Sequence, residues 1–520
     1  MTRFFLIFSL ITLVVSCSSE TKNKATNKEA SKEISIELSK EFIKDINKDI
    51  VTEVDIQNTN ETYLKFISND KTGIDFENKI IEDEYRNHKS YQQIYNGGGV
   101  AVGDLNNDGL PDIYFGGNAT KDRIYFNTGN FTFKDVTEET GIVNNNYGWT
   151  FGVNMVDVNA DGLLDIYVCK AGPYSEEKLL RNRLFINNGD GTFKEDAASY
   201  GLNIATYSVQ SSFFDYDKDG DLDMYLINHP TPSENKNKPR DLKEYTSLIN
   251  KGVLRTDKFY ENINGKFIDK TDAANLVDYG FKNSISVGDI NKDGYPDIYI
   301  ATDYGDADLL YMNNGDKTFT NKVNHNIKHI SYFSMGSEIS DINNDGNLDV
   351  YVTDMTPNDH ILSKTFMATM DPDKFNSLVS NGFHHQYMIN TLQLNNSFGK
   401  FSEIAQLAKI AKTDWSWAPL FFDIDLDGNK DLYVTNGIKE NSNDNDIGEK
   451  INLKRKELNR TLSLQEILDI IPSVITPNQV FKNDGGLHFT DTSNNWVDEM
   501  DFNSNGAAYA DLDGDGDLDL

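Results

Sequence analysis

Cysteine is nearly absent. The 520 residues hold 2, Cys17 and Cys169, which excludes a disulfide-built scaffold and leaves packing or metal to hold the chain together. Positive charge is also short: 49 Lys+Arg stand against 82 Asp+Glu, a formal net charge of −33. A field of that sign repels phosphate backbones and attracts cations, which argues against nucleic acid as a partner. The signatures of common enzymes are missing too, with no G-x-S-x-G, no H-E-x-x-H, no P-loop and no dinucleotide fingerprint. What the chain does have is apolar surface, 38% hydrophobic residues with 30 Phe and 25 Tyr, enough to fold and to exclude general disorder. Its length exceeds one ordinary core, so it holds several domains or one repetitive architecture.

The repetition is explicit. Seven phrases read D-x-[DN]-x-D-G-x-x-D: DLNNDGLPD from Asp104, DVNADGLLD from Asp157, DYDKDGDLD from Asp215, DINKDGYPD from Asp289, DINNDGNLD from Asp341, DIDLDGNKD from Asp423 and DLDGDGDLD from Asp511. Their starts lie roughly 50 to 90 residues apart, room for a few strands each, with insertions in the longer units. A second phrase follows the first six: IYFNTGNFTF at 124, LFINNGDGTF at 184, FYENINGKF at 259, LYMNNGDKTF at 310, LQLNNSFGKF at 392 and VFKNDGGLHF at 480. An apolar strand, an Asn/Gly turn and an aromatic-bearing strand make a hairpin.

Side chains at positions 1, 3, 5 and 9 of the phrase, with the carbonyl of position 7, can converge as an oxygen cage for Ca²⁺. The candidate ligands are Asp104, Asn106, Asp108 and Asp112; Asp157, Asn159, Asp161 and Asp165; Asp215, Asp217, Asp219 and Asp223; Asp289, Asn291, Asp293 and Asp297; Asp341, Asn343, Asp345 and Asp349; Asp423, Asp425, Asp427 and Asp431; and Asp511, Asp513, Asp515 and Asp519. Up to seven structural calcium ions are expected. Glycine at position 6 is expected because a Cβ would clash in the turn. Oxygen-only ligands argue against Zn²⁺ and Cu²⁺, and a flexible high ligand count favours Ca²⁺ over Mg²⁺. An EF-hand needs a glutamate at position 12, where this chain has Phe115, Val168, Leu226, Ile300, Val352 and Val434. The residues after each loop, such as IYF, IYV and MYL, are apolar without a polar alternate, so those strands are buried on both faces, the geometry of a propeller blade. Cys169 lies in one such run and reads as a small core hydrophobe.

Loops and hairpins together resemble FG-GAP/VCBS repeats, the units of integrin α-subunit propellers, and the run TGIDFEN…YNGGGVAVGDLNNDGLPDIYF is similar to lipoproteins of the Bacteroidetes type whose repeats precede an ASPIC/UnbV domain. The resemblance implies an all-β, seven-bladed propeller over residues 60–520, with calcium between the first two strands of each blade. Six blades are complete on this reading and the seventh is truncated, because only Leu520 follows the last phrase. Either residues 60–80 close the ring from the N-terminal side, or the sequence is a fragment of a longer chain; the fragment is the expectation.

The N-terminus is an address. Residues 1–16 carry Arg3 and the run FFLIFSLITLVV, a signal h-region too short to span as a mature helix. Val14-Val15-Ser16-Cys17 resembles a bacterial lipobox, which implies lipidation of Cys17, a tether over 17–59, and a cell-envelope location through that anchor. Ser18 and Ser19 carry no inner-membrane retention signal, so the outer membrane is expected.

Insertions are expected near 230–257, 355–390 and 440–477, the last holding a capping box from Ser463 to Glu466. Such loops decorate one rim, where binding surfaces sit on rigid scaffolds. His384-His385 reads as a solvated or satisfied pair, and Trp415 with Trp417 as core packing. The expected function is a non-catalytic binding or adhesion module for protein or glycan. The alternatives are an extracellular glycan-processing enzyme with its active site in the insertions, and a spacer that binds nothing.

Overall fold

A computed structural model describes residues 62–520 apart from 89, 143–147, 231–240, 366–370, 441–443 and 499–501. The signal segment, Cys17 and the tether lie outside the described residues. Within the compact unit Glu61–Leu520, six antiparallel sheets follow one another in chain order. The first is built from Val100–Gly103, Asp112–Phe115, Arg123–Asn127 and Phe133–Asp135; the others begin at Trp149, Ser208, Phe281, Ser337 and Asp414. Each has four strands in up-and-down order, and the sixth gains a fifth strand, Met355–Thr356, sent across from the fifth unit.

The second strands are the cores of the sheets. Asp165–Ala171, Asp223–Asn228, Asp297–Asp303 and Asp431–Asn436 are buried at every residue, so each sheet is covered on both faces by its neighbours. Each carries a tyrosine at its third position whose hydroxyl needs a partner in the dry interior. Tyr114 donates to Asp122 at 2.9 Å, Tyr299 to Asp308 at 2.7 Å, and Tyr351 to the Ile410 carbonyl at 2.8 Å.

The first strands run side by side around a central channel of about 290 Å³, lined by Gly99, Gly152, Gln210, Ser284, Ser337 and Ala418 among others. Small residues let these strands converge. A Cβ at Gly152 would stand 2.4 Å from the Val209 carbonyl oxygen, and one at Gly336 2.0 Å from that of Trp417.

Between the sixth and first sheets run the two ends of the described chain. Residues near the C-terminus pack there: Ser504 N–H donates to Asn436 O at 2.9 Å, Asn505 Nδ2 to Tyr95 O at 2.9 Å, and Tyr509 stacks on Phe422 with ring centroids 5.1 Å apart. The seventh phrase is closed by a single bridge, Ala510 to Asp519. Residues 62–76 fill the outer part of the same gap. Leu64 bridges Val497, Phe76 stacks on Phe115 at 5.0 Å, and Ile74 and Phe76 pack with Ala510 and Leu512.

All three insertions connect the second strand to the third, so they share the end of the propeller opposite the nine-residue phrases. Their helices are Leu242–Asn250, Pro372–Ser380, and Asn445–Leu458 with Leu464–Leu468. The Ser463–Glu466 capping box forms as the sequence implies. The second insertion is narrower than 355–390, because Met355–Thr356 pairs with Asp414 and Trp415, and Gln386–Tyr387 pairs in parallel with Ile330–Ser331. Both of its ends are therefore stitched into the body.

Candidate metal centres

The phrases sit in one structural frame. The residue before position 1 pairs with the position 9 aspartate, as in Gly103 with Asp112, Val156 with Asp165, and Phe422 with Asp431. Inside the loop the position 1 carboxylate is a hub. Asp104 accepts the amides of Asp108 at 3.2 Å and Gly109 at 2.8 Å, while Asn106 Oδ1 also accepts Asp108 N–H at 2.9 Å and Asp108 Oδ1 accepts Leu110 N–H at 2.9 Å. The position 1 contacts recur in the loops of Asp157, Asp215, Asp289, Asp341, Asp423 and Asp511.

Glycine at position 6 is required for a different reason from the expected clash. A Cβ at Gly109, Gly162, Gly220, Gly428 or Gly516 would meet nothing within 4 Å, but φ there lies between 87° and 100°, a left-handed region that L side chains rarely adopt. Position 4 is left-handed as well, which the sequence did not signal: Asn107, Ala160, Lys218, Lys292, Asn344 and Leu426 all have φ near 57–63°.

The position 9 carboxylates turn inward. Asp112 accepts Leu105 N–H and Asn127 N–H, both at 2.8 Å, and the same pair of contacts pins Asp165, Asp223, Asp297, Asp349 and Asp431. Position 9 thus fixes the loop to the third strand. Burial pushes Asp112 up to about 7 and Asp223 to about 8, against the pull of those two amides.

Three loops bring carboxylates together directly. Asp215, Asp217 and Asp223; Asp423, Asp425 and Asp431; and Asp511, Asp513 and Asp519 each offer oxygens within 4.8 Å of one another. In the loops with asparagine at position 3 the amide instead reaches position 5, as in Asn291 Nδ2 to Asp293 Oδ2 at 2.8 Å. Lysines attend two of the most acidic loops. Lys317 Nζ stands 2.5 Å from Asp217 Oδ2 and 2.6 Å from Glu261 Oε1, and Lys482 touches Asp425 and lies 2.9 Å from Asp427 Oδ2. Asp425 Oδ1 remains buried with no hydrogen-bond donor. Clustered oxygen donors and an unsatisfied buried carboxylate oxygen fit a hard divalent cation.

The hairpin asparagines do more than turn the chain. Asn187 Nδ2 donates to Leu105 O at 2.8 Å, Asn313 to Tyr216 O at 2.9 Å, Asn395 to Ile290 O at 2.9 Å and Asn483 to Ile342 O at 3.0 Å. Each acceptor is position 2 of the preceding unit's phrase, so every link ties a blade to its neighbour's loop. Asn127 makes the same bond to Leu512 O at 2.8 Å, which sets the seventh phrase directly before the first sheet. The repeated Asn at each third-strand end was the signal for this role.

At the insertion end a groove of about 850 Å³ is lined by Met355, Tyr387, Leu407, Lys364 and Lys412, with His329 Nε2 3.3 Å from Glu403 Oε2 on its wall. His384 Nδ1 contacts His385 O at 3.1 Å, and Trp415 and Trp417 join the apolar cluster of Trp149, Met335 and Met355. Cys169 is wholly buried, and burial pushes its thiol up to about 12.

The FG-GAP-like repeat family matches residues 104–168, 175–226 and 289–352. Cartilage acidic protein 1 of Xenopus tropicalis is 31% identical over 149 residues, 27% of this chain and 22% of that protein, so the match spans about a fifth of the relative's length. Among solved structures, an Agrocybe aegerita lectin described for recognition of non-reducing terminal N-acetylglucosamine is similar over 76% of this chain and 80% of its own, at 16% identity and a TM-score of 0.39. The exotype rhamnogalacturonan lyase YesX is similar over 66% of this chain and 53% of its own, at 13% identity and a TM-score of 0.34.

Proposed function

We propose that this chain, which carries FG-GAP-like repeats on a β-propeller of six complete blades, is a calcium-braced, non-catalytic binding module for protein or glycan, held at the cell envelope by lipid on Cys17. The seventh phrase with residues 62–76 would complete a ring of seven. The observation that carries the reading is the division of labour between the two ends. One end repeats a single oxygen-rich loop seven times, and all three insertions and a groove of about 850 Å³ gather at the other.

Positions 1, 3, 5 and 9 of each phrase, with the position 7 carbonyl, would hold Ca²⁺, which supplies the positive charge that the clustered carboxylates need. Binding to the folded state alone contributes RT ln(1 + [L]/Kd), about 2.7 kcal/mol per site at a hundredfold excess over Kd. EDTA should therefore lower the melting temperature steeply and excess Ca²⁺ should restore it; an unchanged melting curve refutes the calcium reading. Binding is tested on glycan arrays and by protein capture, with residues 361–382 replaced by a short Gly/Ser linker that leaves both stitched ends in place. Loss of binding with a retained calcium response supports the module.

A glycan-processing enzyme is the second reading, favoured by the His329–Glu403 pair beside the groove. Turnover of a polymer that His329→Gln abolishes while binding persists would select it.

A further inference from the structure

At the insertion end, away from every nine-residue phrase, the geometry points to a second metal site of different chemistry, in which we propose that Glu82, His88 and Glu440 take one first-row divalent ion of the Zn²⁺ type. Each of the three offers one ligand atom, and these atoms lie within 4.8 Å of one another. All three are withdrawn from solvent: the Glu82 side chain is 1% exposed, that of His88 13%, and Glu440 as a residue 9%. Glu82 Oε2 is 3.0 Å from His88 Nδ1 and accepts His88 N–H at 2.9 Å, while Tyr95 donates its hydroxyl to Glu82 Oε1.

The independent mark of a missing partner is Glu440 Oε2, which is buried with no hydrogen-bond donor. The hydrogen bond of Lys439 Nζ goes elsewhere, to Ile80 O at 2.9 Å, with the ammonium over the Tyr95 ring. Two buried carboxylates share one imidazole, with Tyr95 and the through-space charge of Lys439 as the further help that Glu440 receives, and a buried carboxylate oxygen without a donor is costly. A divalent cation satisfies both at once.

The donor set chooses the ion. Ca²⁺ and Mg²⁺ take oxygen, whereas one imidazole nitrogen with carboxylate oxygens suits Zn²⁺, whose bonds to such ligands are about 2.0–2.2 Å. The ligands come from separate parts of the chain. Glu82 and His88 precede the first sheet, and Glu440 follows Asp431–Asn436 at the root of the third insertion, where it bridges Ser473. An ion here would fasten the segment before the first sheet to the sixth blade, across the gap that has no complete sheet.

The test uses the full chain with Ca²⁺ saturating, so that the phrases are occupied, and titrates Zn²⁺ by calorimetry. One equivalent is expected, with affinity falling at least tenfold in His88→Gln and in Glu440→Gln, both retaining the calcium-dependent melting of the parent. Zinc K-edge absorption of the unmodified protein should show nitrogen and oxygen ligands with the scattering of one imidazole, a readout that does not depend on the variants folding. No Zn²⁺ uptake in the presence of Ca²⁺, a bound ion without imidazole, or undiminished binding in His88→Gln would each overturn the assignment.

Discussion

At position 4 of the nine-residue phrase, what each side chain costs depends on a backbone angle that no hydrophobic pattern reveals. Asn107 and Asn344 suit φ values of 57° and 58°, because asparagine tolerates the left-handed region; Leu426 at 58° does not, and the residue is 65% exposed, so it gains little from packing. Leu426→Asn is expected to raise stability by about 0.5–1 kcal/mol, read as a higher urea midpoint at unchanged slope. A lower midpoint would mean that the leucine packs usefully.

The staple asparagines make a second residue-scale contrast. Asn395 Nδ2 reaches Ile290 O of the neighbouring loop and Leu348 O of its own, whereas Asn262 Nδ2 reaches only Leu222 O, at 3.3 Å. Asn395→Ala leaves buried carbonyls unsatisfied and should cost about 2–3 kcal/mol, with Asn262→Ala cheaper by roughly 1 kcal/mol. Equal losses in chemical denaturation would show that the bond between blades adds nothing. The ligand types of the phrase were legible because carboxylate spacing is written in the sequence. The staples were harder to read because the acceptor is a backbone carbonyl, which has no letter.

Elements were legible where they repeat and opaque where they do not. The second strands and hairpins follow from composition and turn chemistry. Met355–Thr356 and Gln386–Tyr387 are two residues long and pair with partners far away in sequence, so no period exposes them, and the insertion between them reads as longer than it is. The root of the first insertion holds another such feature. His229, just past Asp223–Asn228, is buried beside Phe281, with Nε2 3.4 Å from Asn283 Oδ1 and Nδ1 without a hydrogen-bond partner. Burial pushes its imidazole down to about 4 from the ordinary 6.5.

The unfolded chain takes up this proton near pH 6.5 and the folded chain only near 4. The neutral ring's stability is therefore complete above pH 6.5 and drains away as pH falls through that window, by roughly 3 kcal/mol at full development. Carboxylates titrate there too, so the measurement is a difference: His229→Gln should lose less stability than the parent between pH 6.5 and 4.5. Parallel curves would show that folding leaves the proton affinity of His229 unchanged.

For the whole molecule the decisive question is whether residues 62–76 belong to the ring or merely lie on it. Three glycines hold the same relation to a fourth strand. A Cβ at Gly73 would stand 2.7 Å from Phe133 O, one at Gly141 3.4 Å from Phe193 O, and one at Gly201 2.8 Å from Phe267 O, all with φ between 75° and 81°. Gly141 and Gly201 connect complete blades to their successors, so Gly73 occupies the corresponding corner in front of the first blade. The sequence offered the clue in TGI at 72–74, which repeats TGI at 140–142, but a repeat of three letters could not say which sheet it served. A side chain at such a corner meets both left-handed strain and a backbone oxygen that cannot yield, a loss of roughly 2–4 kcal/mol. Gly201→Ala is the internal standard, since it breaks a corner between two complete sheets. Gly73→Ala should lower the melting temperature by a comparable amount, with one cooperative transition, if the N-terminal segment closes the propeller. A silent Gly73→Ala beside a damaging Gly201→Ala would mean that the ring holds without it, and the first sheet would then have to keep its outer face covered by the seventh phrase alone.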